Sequence, residues 1–175
     1  VRWYKKIKIV IFVALLVYPF LFFLWQLRPV KIITASRYPA YEDSYYRGSD
    51  EGFTERVMYF VVVDHLPLSI DDKVKWYLAN KNNLKMNYSI PMSLSYTIIV
   101  WDIGDGFIDL NASDDSDLIC FPKIEAAERC IEKNDLLSVT TNEEGKESFS
   151  FADDDNSWSL TDQGNLTDGK ITFGL

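Results

Sequence analysis

A single histidine, His65, serves a chain of 175 residues, and its scarcity removes most of the chemistry that imidazole performs. Any Ser-His-Asp or Cys-His arrangement would have to use that ring. His65 lies two residues beyond an apolar run and just before Pro67, where a structural polar group at a strand end is the expected role. Cysteine is nearly as scarce. Cys120 and Cys130 are the only two, so a zinc site, which needs three or four ligands, is poorly supplied. Acidic residues do cluster, at Asp102, Asp105 and Asp109, at Asp114, Asp115 and Asp117, and at Asp153, Asp154 and Asp155. None of these clusters has the spacing of a calcium-binding EF-hand loop, because Gly104 and Gly106 stand where ligands would be needed. Asp-Gly is also an ordinary hairpin signal, so carboxylate acid-base work at this turn is a weaker reading than a plain turn. The sequence therefore predicts no catalytic residue, no metal and no cofactor. Repeats and low-complexity segments are absent as well.

What the chain does have is one long apolar run. Ile9 to Leu27 is nineteen residues without a formal charge, fourteen of them Ile, Val, Leu or Phe. As a helix it would span roughly 28 Å, close to the hydrocarbon thickness of a bilayer. Insertion should be favourable by about 4 to 8 kcal/mol as an upper bound. Pro19 is tolerated in membrane helices, where it bends the rod near Tyr18. Trp3, Tyr4 and Trp25 stand near the two ends, as rings at headgroup depth do. Arg2, Lys5, Lys6 and Lys8 precede the run without an acid among them, which places the N-terminus in the cytoplasm by the positive-inside tendency. A cleaved signal peptide is the rival reading. Its apolar core is normally about seven to fifteen residues, and Thr34-Ala35-Ser36 is the one weak small-residue site nearby. No cysteine follows the run closely, which excludes a lipoprotein anchor.

Charge is divided unevenly. The whole chain carries −8 and its first 27 residues carry +4, which leaves −12 on the remainder. Such a field repels nucleic acid and anionic headgroups and favours cations or basic proteins, although solubility alone would also explain it. Nucleic acid is not an expected partner. The expected order is a basic tail over 1–8, a membrane helix over 9–27, a juxtamembrane strand and Tyr-rich polar loop over 28–56, and a periplasmic domain over 57–175. The strand at Val30 to Ala35 is expected to join the sheet of that domain.

Within the exported part, Val57 to Val63 is an unbroken apolar run with the look of an interior strand. Ser69 is a good N-cap for a helix from Ile70 to about Lys85, with Asp71 and Asp72 in its first turn. Ile70, Val74, Tyr77, Leu78 and Leu84 fall near one face of that helix. Tyr96 to Trp101 is a second strong strand, ending at the Asp102-Ile103-Gly104-Asp105-Gly106 turn, with Phe107 to Leu110 as its return strand. A short helix near Glu125 to Ile131 follows. A meander comes last, through Leu136 to Thr141, Ser148 to Ala152, Trp158 to Leu160 and Lys170 to Phe173. The fold class is α+β: one N-terminal transmembrane helix, then a small, mainly antiparallel sheet with one main covering helix. In an oxidising compartment Cys120 and Cys130 should form a disulfide worth about 2 to 3 kcal/mol. Three glycosylation sequons, at Asn87, Asn111 and Asn165, matter only in a eukaryotic secretory pathway.

Several segments together carry a resemblance. These are Leu27-Arg28-Pro29-Val30-Lys31-Ile32-Ile33, Trp76-Tyr77-Leu78-Ala79-Asn80-Lys81, Tyr88-Ser89-Ile90-Pro91, Trp101-Asp102-Ile103-Gly104-Asp105-Gly106, Leu118-Ile119-Cys120-Phe121 and Cys130-Ile131-Glu132-Lys133-Asn134. From the anchor to about Thr141 the chain resembles domain-of-unknown-function family 943, short enterobacterial proteins predicted to sit in the inner membrane. The resemblance implies a bacterial inner membrane and a periplasmic domain. It brings no catalytic residue, and it leaves the role of the turn formed by Trp101, Asp102, Gly104, Asp105 and Gly106 open. The leading expectation is a non-enzymatic module that binds a protein partner through the periplasmic domain, with immunity against an envelope toxin as one version. An accessory or sensor subunit of an envelope complex is the second reading, and an envelope hydrolase the third.

Overall fold

The structure, a computed structural model, describes residues 2–38, 57–111, 117–142, 144–161 and 164–169, and it divides into two units, Val1–Val30 and Lys31–Leu175. The first unit is a single helix, α1 (Arg2–Gln26), with Pro19 inside it. Its segment Lys6–Gln26 is 21 residues long with a mean hydropathy of 2.6. Among the described residues it is the one helix long and apolar enough to cross a membrane. Leu15, Leu16, Phe20 and Phe23 are all exposed along it, as lipid-facing side chains would be. At its end the Arg28 guanidinium lies 4.3 Å from the centre of the Trp25 ring, a cation–π contact.

The second unit is built on a seven-stranded sheet. Its strands are β1 (Ile32–Arg37), β2 (Val57–Val63), β3 (Tyr96–Asp102), then, further along the chain, β7 (Asp135–Thr141), β8 (Glu147–Phe151), β9 (Asp154–Leu160) and β10 (Leu166–Gly169), in the spatial order β1-β2-β3-β7-β8-β9-β10. A smaller sheet of β4 (Ile108–Asp109), β5 (Leu118–Cys120) and β6 (Glu128–Glu132) has the order β4-β6-β5. All pairings are antiparallel except β2 with β3. That parallel pair needs a crossover, which α2 (Ile70–Tyr88) provides.

Alternation along the strands separates the two faces of the large sheet. Tyr59, Val61, Ile98, Val100, Leu137, Val139 and Phe149 are buried in register beneath α2, which adds Val74, Tyr77 and Leu84. Tyr77 meets Phe149 edge to face at 5.9 Å. Phe60, Val62 and Trp101 form a second core with Ile119, Phe121 and Ile131 from the small sheet and its surroundings. The sheet is thus covered on both faces, which explains why Tyr59 to Val63 is buried without interruption.

The ends of α2 follow from its sequence. The Ser69 hydroxyl accepts the Asp72 backbone N–H, and Ser89 in the left-handed conformation ends the helix by donating its N–H to the Leu84 carbonyl. The helix runs one turn past Lys85, and Leu78, expected on its inner face, is half exposed.

Three expectations are corrected. Glu125 to Ile131 is not a helix: Glu128–Glu132 is a strand between β4 and β5, because cross-strand pairing and the Cys120–Cys130 bond outweigh the helix propensity of its Glu and Ala residues. Phe107 to Leu110 does not return along β3, whose two edges are already taken by β2 and β7; its two strand residues pair with β6 instead. Asp154 to Asn156, expected in a loop, begins β9 and turns the chain tightly from Phe151. The Tyr-rich loop from 39 to 56, the acidic segment from 112 to 116 and the proposed strand at Lys170 to Phe173 lie outside the described residues.

Candidate binding site

The residues singled out by the sequence fall at the edge of the second core. Trp101 packs edge to face on Phe60 at 5.5 Å, and its indole N–H is buried with no hydrogen-bond partner among the described residues. The turn after it is organised by its own groups. The Asp102 carboxylate accepts the Gly104 N–H at 2.9 Å, the Asp102 N–H reaches the Asn134 carbonyl, and the Ile103 N–H reaches the Val63 carbonyl. Gly104 and Gly106 both have positive φ, 55° and 115°, which favours glycine at each. Asp109, by contrast, is occupied with Asn111, whose backbone N–H it accepts at 2.9 Å. Among the described residues no group of three or more His, Cys, Asp or Glu is placed to hold a metal.

Cys120 and Cys130 face each other in register on β5 and β6 and form a disulfide, with Cα atoms 4.0 Å apart. His65 is buried, and its Nδ1 lies 2.9 Å from Asp64 Oδ1. The same oxygen accepts the Lys31 N–H at 2.8 Å, and the Asp64 N–H reaches the Lys31 carbonyl at 3.1 Å. Asp64 thus ties the start of the second unit to the end of β2.

A different constellation gathers at the other face of the large sheet, where the middle of α2 meets the beginnings of β3 and β8. Glu147 accepts from the Tyr77 hydroxyl at 2.7 Å, from Lys81 Nζ at 2.8 Å, and from the Tyr96 hydroxyl. Burial pushes the Glu147 carboxyl upward, but the hydrogen bonds from Lys81, Tyr96 and Tyr77 outweigh it and hold the group below its ordinary value. Burial first, and the carboxylate second, push both tyrosine hydroxyls far upward, so both stay protonated donors. A carboxylate with three donors is a brace rather than a free base.

Beside this brace opens a cavity of about 710 Å³, lined by Lys81, Lys85, Met92, Leu94, Tyr96 and Thr141 among others. Its lip is the segment between α2 and β3. Ile90 is buried, the Met92 N–H donates to the Tyr59 hydroxyl at 2.9 Å, and the Thr141 hydroxyl takes the Tyr96 N–H at 2.8 Å and lies 3.0 Å from the Leu94 carbonyl. The backbone is pinned at three points, yet Met92 is 79% and Leu94 91% exposed, and Met86 on the last turn of α2 is 82% exposed. Sequence reasoning did not find this site. Tyr77, Lys81 and Lys85 recur every fourth residue, which puts them on one stripe of a helix. Glu147 carried no local signal.

The family model described as "Enterobacterial putative membrane protein (DUF943)" matches residues 4–170. The chain therefore belongs to that family, and the match takes in α1, both sheets and the cavity. No curated protein and no solved structure matches the chain.

Proposed function

We propose that this member of an enterobacterial membrane-protein family is a single-span inner-membrane protein with a cytoplasmic N-terminus, and that its periplasmic domain is a non-enzymatic module that captures a partner protein at the Met92–Leu94 lip. The observation that carries this reading is the pinned lip: rigid backbone, large apolar side chains held out in water, and a cavity beside them. Exposing two such side chains next to a hollow loses burial that the core would have rewarded, and interfaces recover it. The basic residues ahead of the apolar helix and the disulfide support the orientation. Immunity against a toxin acting in the envelope is one form the binding could take, and the net charge of −12 beyond residue 27 suits a basic partner.

Photocrosslinking in intact enterobacterial cells tests the binding face. A photoreactive residue at Leu94 should give one discrete adduct that disappears with Met92→Ser in the same chain, whereas the same probe at Lys75 should give none. Identical adduct patterns at both positions would sink the proposal. Orientation has its own check: in a chain with Cys120→Ala, Cys130→Ala and the exposed Lys75→Cys, a membrane-impermeant thiol reagent should label intact cells, and labelling only after lysis would reverse it. For the immunity version, cells lacking the protein should become sensitive to a toxin encoded beside it. Unchanged tolerance would remove that version.

A further inference from the structure

The cavity also indicates what chemistry its occupant offers, an inference that rests on the lip being the binding face. Two cations line the cavity, Lys81 and Lys85, and among the described residues no carboxylate lines it. The two are not equivalent. Lys81 is neutralised by Glu147 at 2.8 Å, whereas Lys85, one turn further along α2, has no ion-pair partner among the described residues. Glu144, next to the lining residue Gly145, is itself paired with Lys146 at 3.5 Å. A lysine in the last turn of a helix is favourable for the helix dipole alone. That accounts for the charge, but not for the cavity that Lys85 lines together with the apolar side chains of Met92 and Leu94.

A ligand that satisfies the wall must bring an anion for Lys85 and an apolar chain for Met92 and Leu94. The hydroxyls of Tyr96 and Thr141 are already committed, to Glu147 and to the lip backbone, so they add shape rather than free donors. A volume of about 710 Å³ accepts a few residues of peptide or a small organic acid. The net charge of the domain opposes anions at long range, but beyond about 8 Å that field is screened at physiological salt. The local cation then decides what binds. We infer that the cavity receives a carboxylate borne on an apolar chain, supplied by the C-terminus of the partner protein.

The test uses the full chain in zwitterionic nanodiscs with its methionine methyls labelled, since Met58, Met86 and Met92 are the three methionines. Met92 reports the lip, and Met58, on β2, is the internal control. The probes are acetyl-Ala-Leu-Leu with a free carboxylate, the same peptide as its C-terminal amide, and 4-methylpentanoate. The free peptide should shift the Met92 signal and leave Met58 in place, with an affinity about tenfold or more above that of the amide. Lys85→Gln should remove that difference while leaving binding of the amide unchanged, and Leu94→Ser should weaken both peptides alike. Equal binding of peptide and amide, or a full carboxylate preference in Lys85→Gln, overturns the inference. Should 4-methylpentanoate bind as tightly as the peptide, the cavity belongs to a small organic acid and the polypeptide source is overturned. Adducts at Leu94 in cells without any carboxylate preference in vitro would remove this inference and leave the binding face standing. Loss of the adducts would remove the binding face itself.

Discussion

The two faces of the large sheet are closed in different ways. Against the small sheet the packing is apolar, with Phe60, Val62, Trp101, Ile119, Phe121 and Ile131 together, and the element above it is fastened by a disulfide between directly paired residues. Under α2 the side chains around Phe149 are likewise buried, but at one end they give way to a carboxylate shared by two tyrosines and a lysine, and next to that to open space. A covalent staple fixes a layer whatever surrounds it. A polar brace fixes only the groups it touches, and so can hold a cavity open where apolar side chains would collapse into it. The first face is closed throughout, and the second carries the opening on which the proposed binding rests.

Substitutions can break or sharpen this contrast. The largest effect should come from Phe149→Ala, which opens a void under α2 and should cost about 3 to 5 kcal/mol in denaturant unfolding of the nanodisc-embedded chain. A loss under about 1 kcal/mol would mean that α2 packs far less tightly than Phe149 and Tyr77 indicate. Replacing Cys120 and Cys130 together by Ala should cost about 2 to 3 kcal/mol, as expected for a cross-link spanning 10 residues, and should leave the Met86 and Met92 methyl signals in place. If those signals moved, the two faces would not be independent.

Glu147→Gln should be milder, about 1 to 2 kcal/mol near neutral pH, because the amide keeps an acceptor but loses the charge facing Lys81. Its signature is pH dependence. The folded chain holds Glu147 below its ordinary 4.5, so as pH falls the unfolded state takes up the proton first. The contribution of this group is therefore complete above 4.5 and is lost as pH falls further, through the lower folded value. The difference in stability between wild type and Glu147→Gln should shrink below that point, and a constant difference from pH 7 to pH 3 would refute the brace. Smallest of all for stability is Met92→Ser, within about 0.5 kcal/mol because the side chain is exposed, although the adduct from a photoreactive residue at position 94 should vanish.

The parts of the fold legible in the sequence are those whose reasons are local. Nineteen uncharged residues are a rod long enough for a bilayer, Ser69 followed by Asp71 and Asp72 is a helix start, and Tyr59 to Val63 cannot be left in water. The parts that depart from local pattern depend on distant partners. Glu125 to Ile131 has the composition of a helix, and only its neighbours β4 and β5 make part of it a strand. Likewise the turn at Asp102 to Gly106 points to Phe107 to Leu110 as a return strand, and β7, from further along the chain, takes that edge of β3 instead. The candidate site was illegible for the same reason. Its stripe of Tyr77, Lys81 and Lys85 is visible in the sequence, but the Glu147 that gives the stripe meaning lies 70 residues from Tyr77.

That separation also sets a schedule. Ribosomes deliver a polypeptide from its N-terminus, so Tyr77, Lys81 and Tyr96 are all made well before their shared carboxylate. Until β8 emerges, two phenols and an ammonium wait without their acceptor, and the hollow beside them has no finished wall. The brace is therefore complete only once β8 has been made.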